Sequence, residues 1–251
     1  MASIGEIVNT NEIVLLDNSA INWALGEDQF SLSNPNVIYQ FKRRSRYIGR
    51  LRGQLIDEDA PFYITPGILD EFSGKLQGAL DLHADFSRGR KKCRKKKERS
   101  SRGFINNSSI TSAVEKEQRA RRLFVEELTA RGRILSLKDF GKIQGRDFDA
   151  AYAELSEQDG LSWQDYEFLK VGYLVSREVG PVSLISNDGA GNNGTGISYA
   201  WKRVVGREKI PFEEFGFYFR IGEDEYFPAN SSNLSQKLGK AKDRKDLENR
   251  V

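Results

Sequence analysis

The sequence predicts an α/β fold with a central, mainly parallel sheet. Short apolar runs rich in branched residues alternate along the chain with segments of helical periodicity, and two late runs flank a tight turn. The first run, Ile13-Val14-Leu15-Leu16, stops abruptly at Asp17-Asn18-Ser19. Four uninterrupted aliphatic residues read as a strand buried on both faces, as strands of parallel sheets are. The carboxyl end of such a strand is where an open sheet places its ligands. A carboxylate there is costly to desolvate unless it meets a cation.

The elements follow in order. Residues 1–12 read as a loose polar lead-in and 13–17 as the first strand. Asn18 to Leu25 turns into a short helix. From Asn36 to Leu55, apolar residues at Val37, Ile38, Phe41, Ile48, Leu51 and Leu55 mark a helix with one buried face, and Lys42, Arg43, Arg46, Arg50 and Arg52 lie largely off that face. Pro61–Thr65 is a second strand. Pro66 suits the first turn of a helix with Thr65 as its cap, carrying Asp70 and Glu71 near the strand's end.

Residues 86–110 read as a flexible basic insertion. Ser112–Ala130 is an amphipathic helix, with Val114, Leu123, Phe124 and Leu128 inward, and Arg133–Leu137 a third strand. Phe148–Leu155 is a short helix. Ser162 and Asp165 have the spacing of a capping box for a helix running to about Glu178. Val182–Ser186 is a fourth strand ending at Asn187-Asp188. A glycine-rich loop follows, then a helix near Ile197–Val205, a terminal hairpin (Phe215–Ile221 and Glu225–Phe227) and a polar tail over 230–251.

The chain has 251 residues, 38% of them hydrophobic and 30% charged. That is enough for one large domain, here expected over 1–251. No apolar run approaches the roughly 20 residues of a membrane helix, and no basic-then-apolar leader opens the chain. A cytoplasmic protein without a membrane partner is expected. The lone cysteine, Cys93, excludes an internal disulfide framework, and the lone histidine, His83, argues against histidine-rich metal sites and Ser-His-Asp triads. Chemistry would have to run on carboxylates.

Net charge is only +3, yet ten basic residues and one acid fall between Arg88 and Arg102, and six basic residues and no acid between Lys42 and Arg52. The remainder is therefore acidic. Two basic stretches on an acidic body suggest a polyanionic partner.

Four acids share one address. Asp17 follows the first strand, Asp70 or Glu71 sits on the helix after the second, Asp165 opens a helix, and Asp188 follows the fourth strand. Parallel strands gather their carboxyl ends on one edge, where so many carboxylates would repel. Mg²⁺ or Mn²⁺ removes the conflict and prefers all-oxygen ligands. Two such ions roughly 3.5–4 Å apart can drive phosphodiester cleavage.

The set Asp17-Asn18-Ser19, Thr65-Pro66-Gly67-Ile68-Leu69-Asp70-Glu71, Asp165 and Ser186-Asn187-Asp188 resembles the PIN-domain nucleases. The resemblance implies an α/β/α sandwich and a metal-dependent endoribonuclease preferring single-stranded RNA. It also implies Asp17, Glu71, Asp165 and Asp188 as catalytic metal ligands, with Ser19, Ser186 and Asn187 in support. It extends over about residues 13–30, 60–85 and 130–220. Members often dimerise, and the toxin members are met by an antitoxin protein. Here Glu71 and Asp165 stand 94 positions apart, farther than in the small toxins, and no further acid follows Asp188 in the glycine loop.

Arg43, Arg46, Arg50, Arg90, Lys91, Lys92, Arg94, Lys95, Lys96 and Lys97 are the candidate contacts to RNA, single-stranded or tRNA-like. Tyr39, Phe41 and Tyr47 interleave with the arginines and read either as core aromatics, the commoner use, or as base-stacking residues. The insertion is similar in architecture to the helical arm of some PIN-like enzymes that hold structured RNA. Two other readings compete: a catalytically inactive RNA-binding adaptor, and a Rossmann-type protein using Gly189-Ala190-Gly191-Asn192-Asn193-Gly194 as a dinucleotide fingerprint. Against the latter, Asp188 directly before the loop would repel a pyrophosphate.

Overall fold

Strands β1 (Ile13–Leu16), β2 (Phe62–Tyr63), β3 (Val182–Ser186), β4 (Phe215–Arg220) and β5 (Tyr226–Pro228) form one sheet in the order β2-β1-β3-β4-β5. The first four run parallel, and β5 returns antiparallel to β4 as a hairpin. The computed structural model describes residues 1–21, 36–72, 107–140, 161–187, 196–222 and 224–231. The expected α/β class with a mostly parallel sheet and a C-terminal hairpin is thus observed. The expected helix Phe148–Leu155, the glycine loop after Asp188, most of the basic insertion and nearly all of the tail lie outside the described residues.

The helices are α1 (Ile4–Thr10), α2 (Asn18–Ile21), α3 (Asn36–Asp57), α4 (residues 66–72), α5 (Asn107–Ala130), α6 (Trp163–Glu178) and α7 (Ile197–Glu208). They cover both faces of the sheet. Along β4, Phe215 and Phe217 alternate with Gly216, Tyr218 and Arg220, so the two sets point to opposite sides. Trp201 of α7 packs on Phe215 and Phe217, and Gly172 of α6 lies against Leu184 and Phe215. A methyl on Gly172 would come within 2.7 Å of Leu184. On the other side, Tyr47 of α3 lies under the Arg220 guanidinium, 3.1 Å from ring centroid to Cζ, and its hydroxyl meets that of Tyr226 at 2.7 Å.

Three expectations are corrected. Residues 1–12 are not a loose lead-in: Ser3 and Glu6 form a capping box, α1 follows, and Ile4 and Ile7 enter the core. Ala2 bridges Tyr226, and the Ile4 amide donates to Asp224 at 3.1 Å, so this end is stitched to the hairpin. Arg133–Leu137 is not a strand. Only Ile134 bridges Ile64, because β2 is two residues long and a turn at Ser136–Asp139 leads the chain away. Finally, Phe41 and Tyr47 are buried and cannot stack bases, whereas Tyr39 is 50% exposed with the Arg43 guanidinium over its ring.

Helices α3 and α5 pack along each other and enclose a charged cluster. Glu117 accepts from Arg121 Nε at 2.8 Å and from the same guanidinium's terminal nitrogen at 2.6 Å, and pairs with Arg44 at 3.0 Å. All three side chains are buried. Arg44 lies over Phe41 and Arg121 over Phe72. Burial pulls Arg44 down to about 10 against the opposing pull of Glu117.

Candidate functional site

The strand order fixes where a ligand can sit. From β1 the chain crosses to the edge strand β2, then returns past β1 to β3. The direction of winding therefore reverses between β1 and β3. The crevice outside the carboxyl ends of strands at such a reversal is where open α/β sheets bind ligands. Asp17 follows β1, Ser186 ends β3, and the two are neighbours across this gap.

Asp17 is held tightly. Its backbone N–H donates to Ile185 at 2.9 Å, continuing the sheet by one residue. Its carboxylate, 4% exposed, accepts from Ser186 Oγ at 2.6 Å and, at a shorter distance, from Ser19 Oγ through the same oxygen. The two serine oxygens stand 3.0 Å apart, and Ser19 Oγ accepts the Asn187 backbone N–H at 2.7 Å. Helix α2 begins directly after Asp17, which is why a serine two residues on can turn back to it. Short hydroxyl bonds to a carboxylate are charge-assisted and strong. The Nδ2 of Asn187 is buried and has no acceptor among the described residues.

Glu71 joins the group through Asn18, which is fully buried and donates from Nδ2 to Glu71 Oε2 at 2.9 Å. Asp70, the alternative, points into solvent. Thr65 caps α4 through a 3.4 Å bond from the Ile68 N–H, as its sequence position suggested.

Asp165 sits in the first turn of α6. The expected capping box with Ser162 is present: the Asp165 N–H donates to Ser162 Oγ at 3.1 Å, and the Ser162 N–H to Asp165 Oδ2 at 3.2 Å. Asp165 shares a helical stripe with Phe168, Leu169, Gly172 and Val175, all buried, and Gly172 lies on the sheet. The stripe therefore aims Asp165 toward the sheet's carboxyl edge.

Glu167 joins the two helices that carry the candidate acids. It is buried, and Oε2 accepts the Gly67 N–H at 2.7 Å, clasping the start of α4 to α6. A methyl on Gly67 would fall 2.8 Å from that oxygen and 3.2 Å from the Gln164 Cα. The two acid-bearing helices thus touch where each begins.

Hard oxygen donors of this kind suit Mg²⁺ or Mn²⁺. Asp17 and Glu71 converge through Asn18, and Asp165 is aimed at the same edge. Among the described residues no three acids lie close enough together to hold an ion. Asp188 falls outside them, as do Arg90, Lys91, Lys92, Arg94, Lys95, Lys96 and Lys97. Arg46 and Arg50 are exposed on α3, and the pKa of Arg220 is lowered chiefly by its burial, with the nearby charges of Arg50 and Arg43 adding to it. Arg220 follows the β4 residue paired with Ser186 and donates to the Ala20 carbonyl of α2 at 2.7 Å, so the basic stripe of α3 reaches the same edge as Asp17. No described helix is long and apolar enough to cross a membrane. No protein-family model, curated protein or solved structure matches this chain.

Proposed function

We propose that this chain is a PIN-like, Mg²⁺- or Mn²⁺-dependent endoribonuclease that hydrolyses RNA phosphodiester bonds at the carboxyl edge between β1 and β3. The observation that carries the reading is the buried Asp17, held by Ser19 and Ser186 where the winding of the sheet reverses, with Glu71 tied in through Asn18. A carboxylate fixed in this way is oriented without being neutralised by its serines.

Asp17 and Glu71 would hold the ion, with Asp165 and Asp188 completing the set. The bound ion would neutralise the clustered carboxylates and polarise the phosphoryl group. Ser19 and Ser186 fix the Asp17 carboxylate in one orientation. The Asn187 amide, buried and with no acceptor among the described residues, can donate to a phosphoryl oxygen. Arg43, Arg46 and Arg50 offer phosphate contacts that do not read sequence.

The test is incubation of labelled single-stranded RNA and structured tRNA precursors with the protein, in Mn²⁺ or in EDTA, beside Asp17→Asn. Metal-dependent cutting that the variant lacks is expected, with RNA affinity kept or raised. Cutting that persists in the variant would sink the assignment. The adaptor reading has one observation in its favour, the lack of a three-acid cluster among the described residues. RNA bound by both proteins and cut by neither would establish it.

A further inference from the structure

We propose that Trp163, braced by Tyr166, is a stacking subsite for an unpaired RNA base beside the candidate active edge. The proposal rests on the nuclease reading for the identity of the ligand. Trp163 is the first residue of α6 and is 57% exposed, whereas Trp201 is 2% exposed, edges against three phenylalanines and donates Nε1 to the Phe215 carbonyl at 3.2 Å. The core has a use for Trp201; nothing in the core calls for Trp163.

The geometry around Trp163 is that of a supported shelf. Its ring stands 5.9 Å from Tyr166, centroid to centroid, at 40°. Tyr166 is itself pinned by Lys170, whose Nζ lies 5.2 Å from the ring centroid and donates to the phenolic oxygen at 2.8 Å. The indole thus meets an aromatic ring that a cation in turn holds in place. The capping box of Ser162 and Asp165 fixes the turn that carries it.

The location matters as much as the shape. Trp163 opens α6 at the same end as Asp165, on a different face of the helix, and the neighbouring Gln164 packs its Cα against Gly67 at the head of α4, the helix that carries Glu71. A strand with a phosphate at the acidic edge would have a flanking base within reach of the indole. Stacking on an aromatic face suits any base, and the cation at Lys170 suits its phosphate. A protein partner would want a contiguous apolar patch. The other exposed apolar residue of this segment, Val179, lies at the far end of α6, and charged Arg177 and Glu178 precede it.

The test needs no cleavage. Oligouridylate and oligoadenylate are titrated into the whole protein in EDTA, read by tryptophan emission and by affinity at several salt concentrations. Wild type should be quenched. Trp163→Ala should lose that quenching and bind roughly tenfold more weakly, Trp163→Phe should bind close to wild type, and the salt slope should be the same in all three because no phosphate contact changes. Absence of quenching in wild type, or equal affinity for Trp163→Ala, would overturn the subsite even if Mn²⁺-dependent cutting is found. Quenching through Trp163 in a protein that never cuts RNA would keep the subsite and remove the hydrolase.

Discussion

Two buried carboxylates, Glu117 and Asp17, show how differently one fold can treat the same group. Both are almost fully enclosed. Glu117, between α3 and α5, is gripped by guanidiniums: Arg121 twice and Arg44 once. Asp17, at the edge of the sheet, is gripped by hydroxyls: Ser19 and Ser186. A guanidinium neutralises the carboxylate it meets and leaves it little charge to offer a ligand. A hydroxyl orients the carboxylate and brings no charge of its own to cancel it. The first arrangement is suited to holding helices together and the second to holding a ligand.

The largest expected effect separates them by stability. Glu117→Gln removes the anion and leaves two buried guanidiniums facing each other. Breaking such a group from one side costs about 3–5 kcal/mol, read as a lower urea midpoint, and metal binding by the surviving folded protein should be unchanged. Asp17→Asn keeps an oxygen that can accept the serine hydroxyls. Its stability should stay within about 1 kcal/mol of wild type, while Mn²⁺ affinity measured by calorimetry falls at least tenfold. A loss of stability at Asp17 as large as that at Glu117 would break the comparison and make Asp17 a structural residue.

The comparison also explains what the sequence could reveal. Asp17 was legible because a short aliphatic run announces a buried strand, and a polar residue at its end has few places to go. The Ser162–Asp165 capping box and the hairpin are local patterns that need no tertiary knowledge, and both are observed. The Glu117 cluster was not legible. Arg44 reads as one more positive charge in a basic run, and only the packing of α3 on α5, whose first residues lie 71 positions apart, turns it inward. The lead-in failed for a different reason: Ser3-x-x-Glu6 is a capping-box spacing, outweighed by polar composition. The false strand at Arg133–Leu137 had the right apolar content, but only Ile134 finds a partner, Ile64, just past the end of the two-residue β2. Exposure cannot be read from residue type, so Tyr39 and Tyr47 looked alike and Trp163 drew no attention.

The intermediate effect tests whether the edge is as closely built as it looks. Gly67→Ala pushes a methyl against the Glu167 carboxylate and the backbone of Gln164. The Glu167 side chain can turn aside, but the Gln164 backbone cannot, so α4 must shift. Overpacking of this kind costs about 1–3 kcal/mol. Because α4 carries Glu71, the same change should also weaken Mn²⁺ binding, which an equal loss of stability elsewhere would not do. A variant with full metal affinity would mean that Glu71 is positioned from Asn18 alone.

The smallest effect asks whether Arg44 belongs to its cluster or is carried by it. Arg44 Nε has no partner among the described residues, and burial holds the group at about 10, well below the ordinary arginine value. Arg44→Met removes that desolvation and leaves the two Arg121 bonds to Glu117 intact. At pH 7 the variant should lie within about 1 kcal/mol of wild type. The pH dependence fixes the sign. Below pH 10 Arg44 is charged in both the folded and the unfolded chain, and the gap between wild type and variant is constant. Above pH 10 the folded chain releases the proton first and the unfolded chain holds more protons, so wild-type stability rises relative to Arg44→Met, by up to about 1.4 kcal/mol per pH unit. Urea midpoints of both proteins at pH 9, 10 and 11 read this directly. A wild-type advantage that stays flat over that range would mean that Glu117 holds Arg44 charged more strongly than burial opposes it, and the α3–α5 cluster would then be a net source of stability.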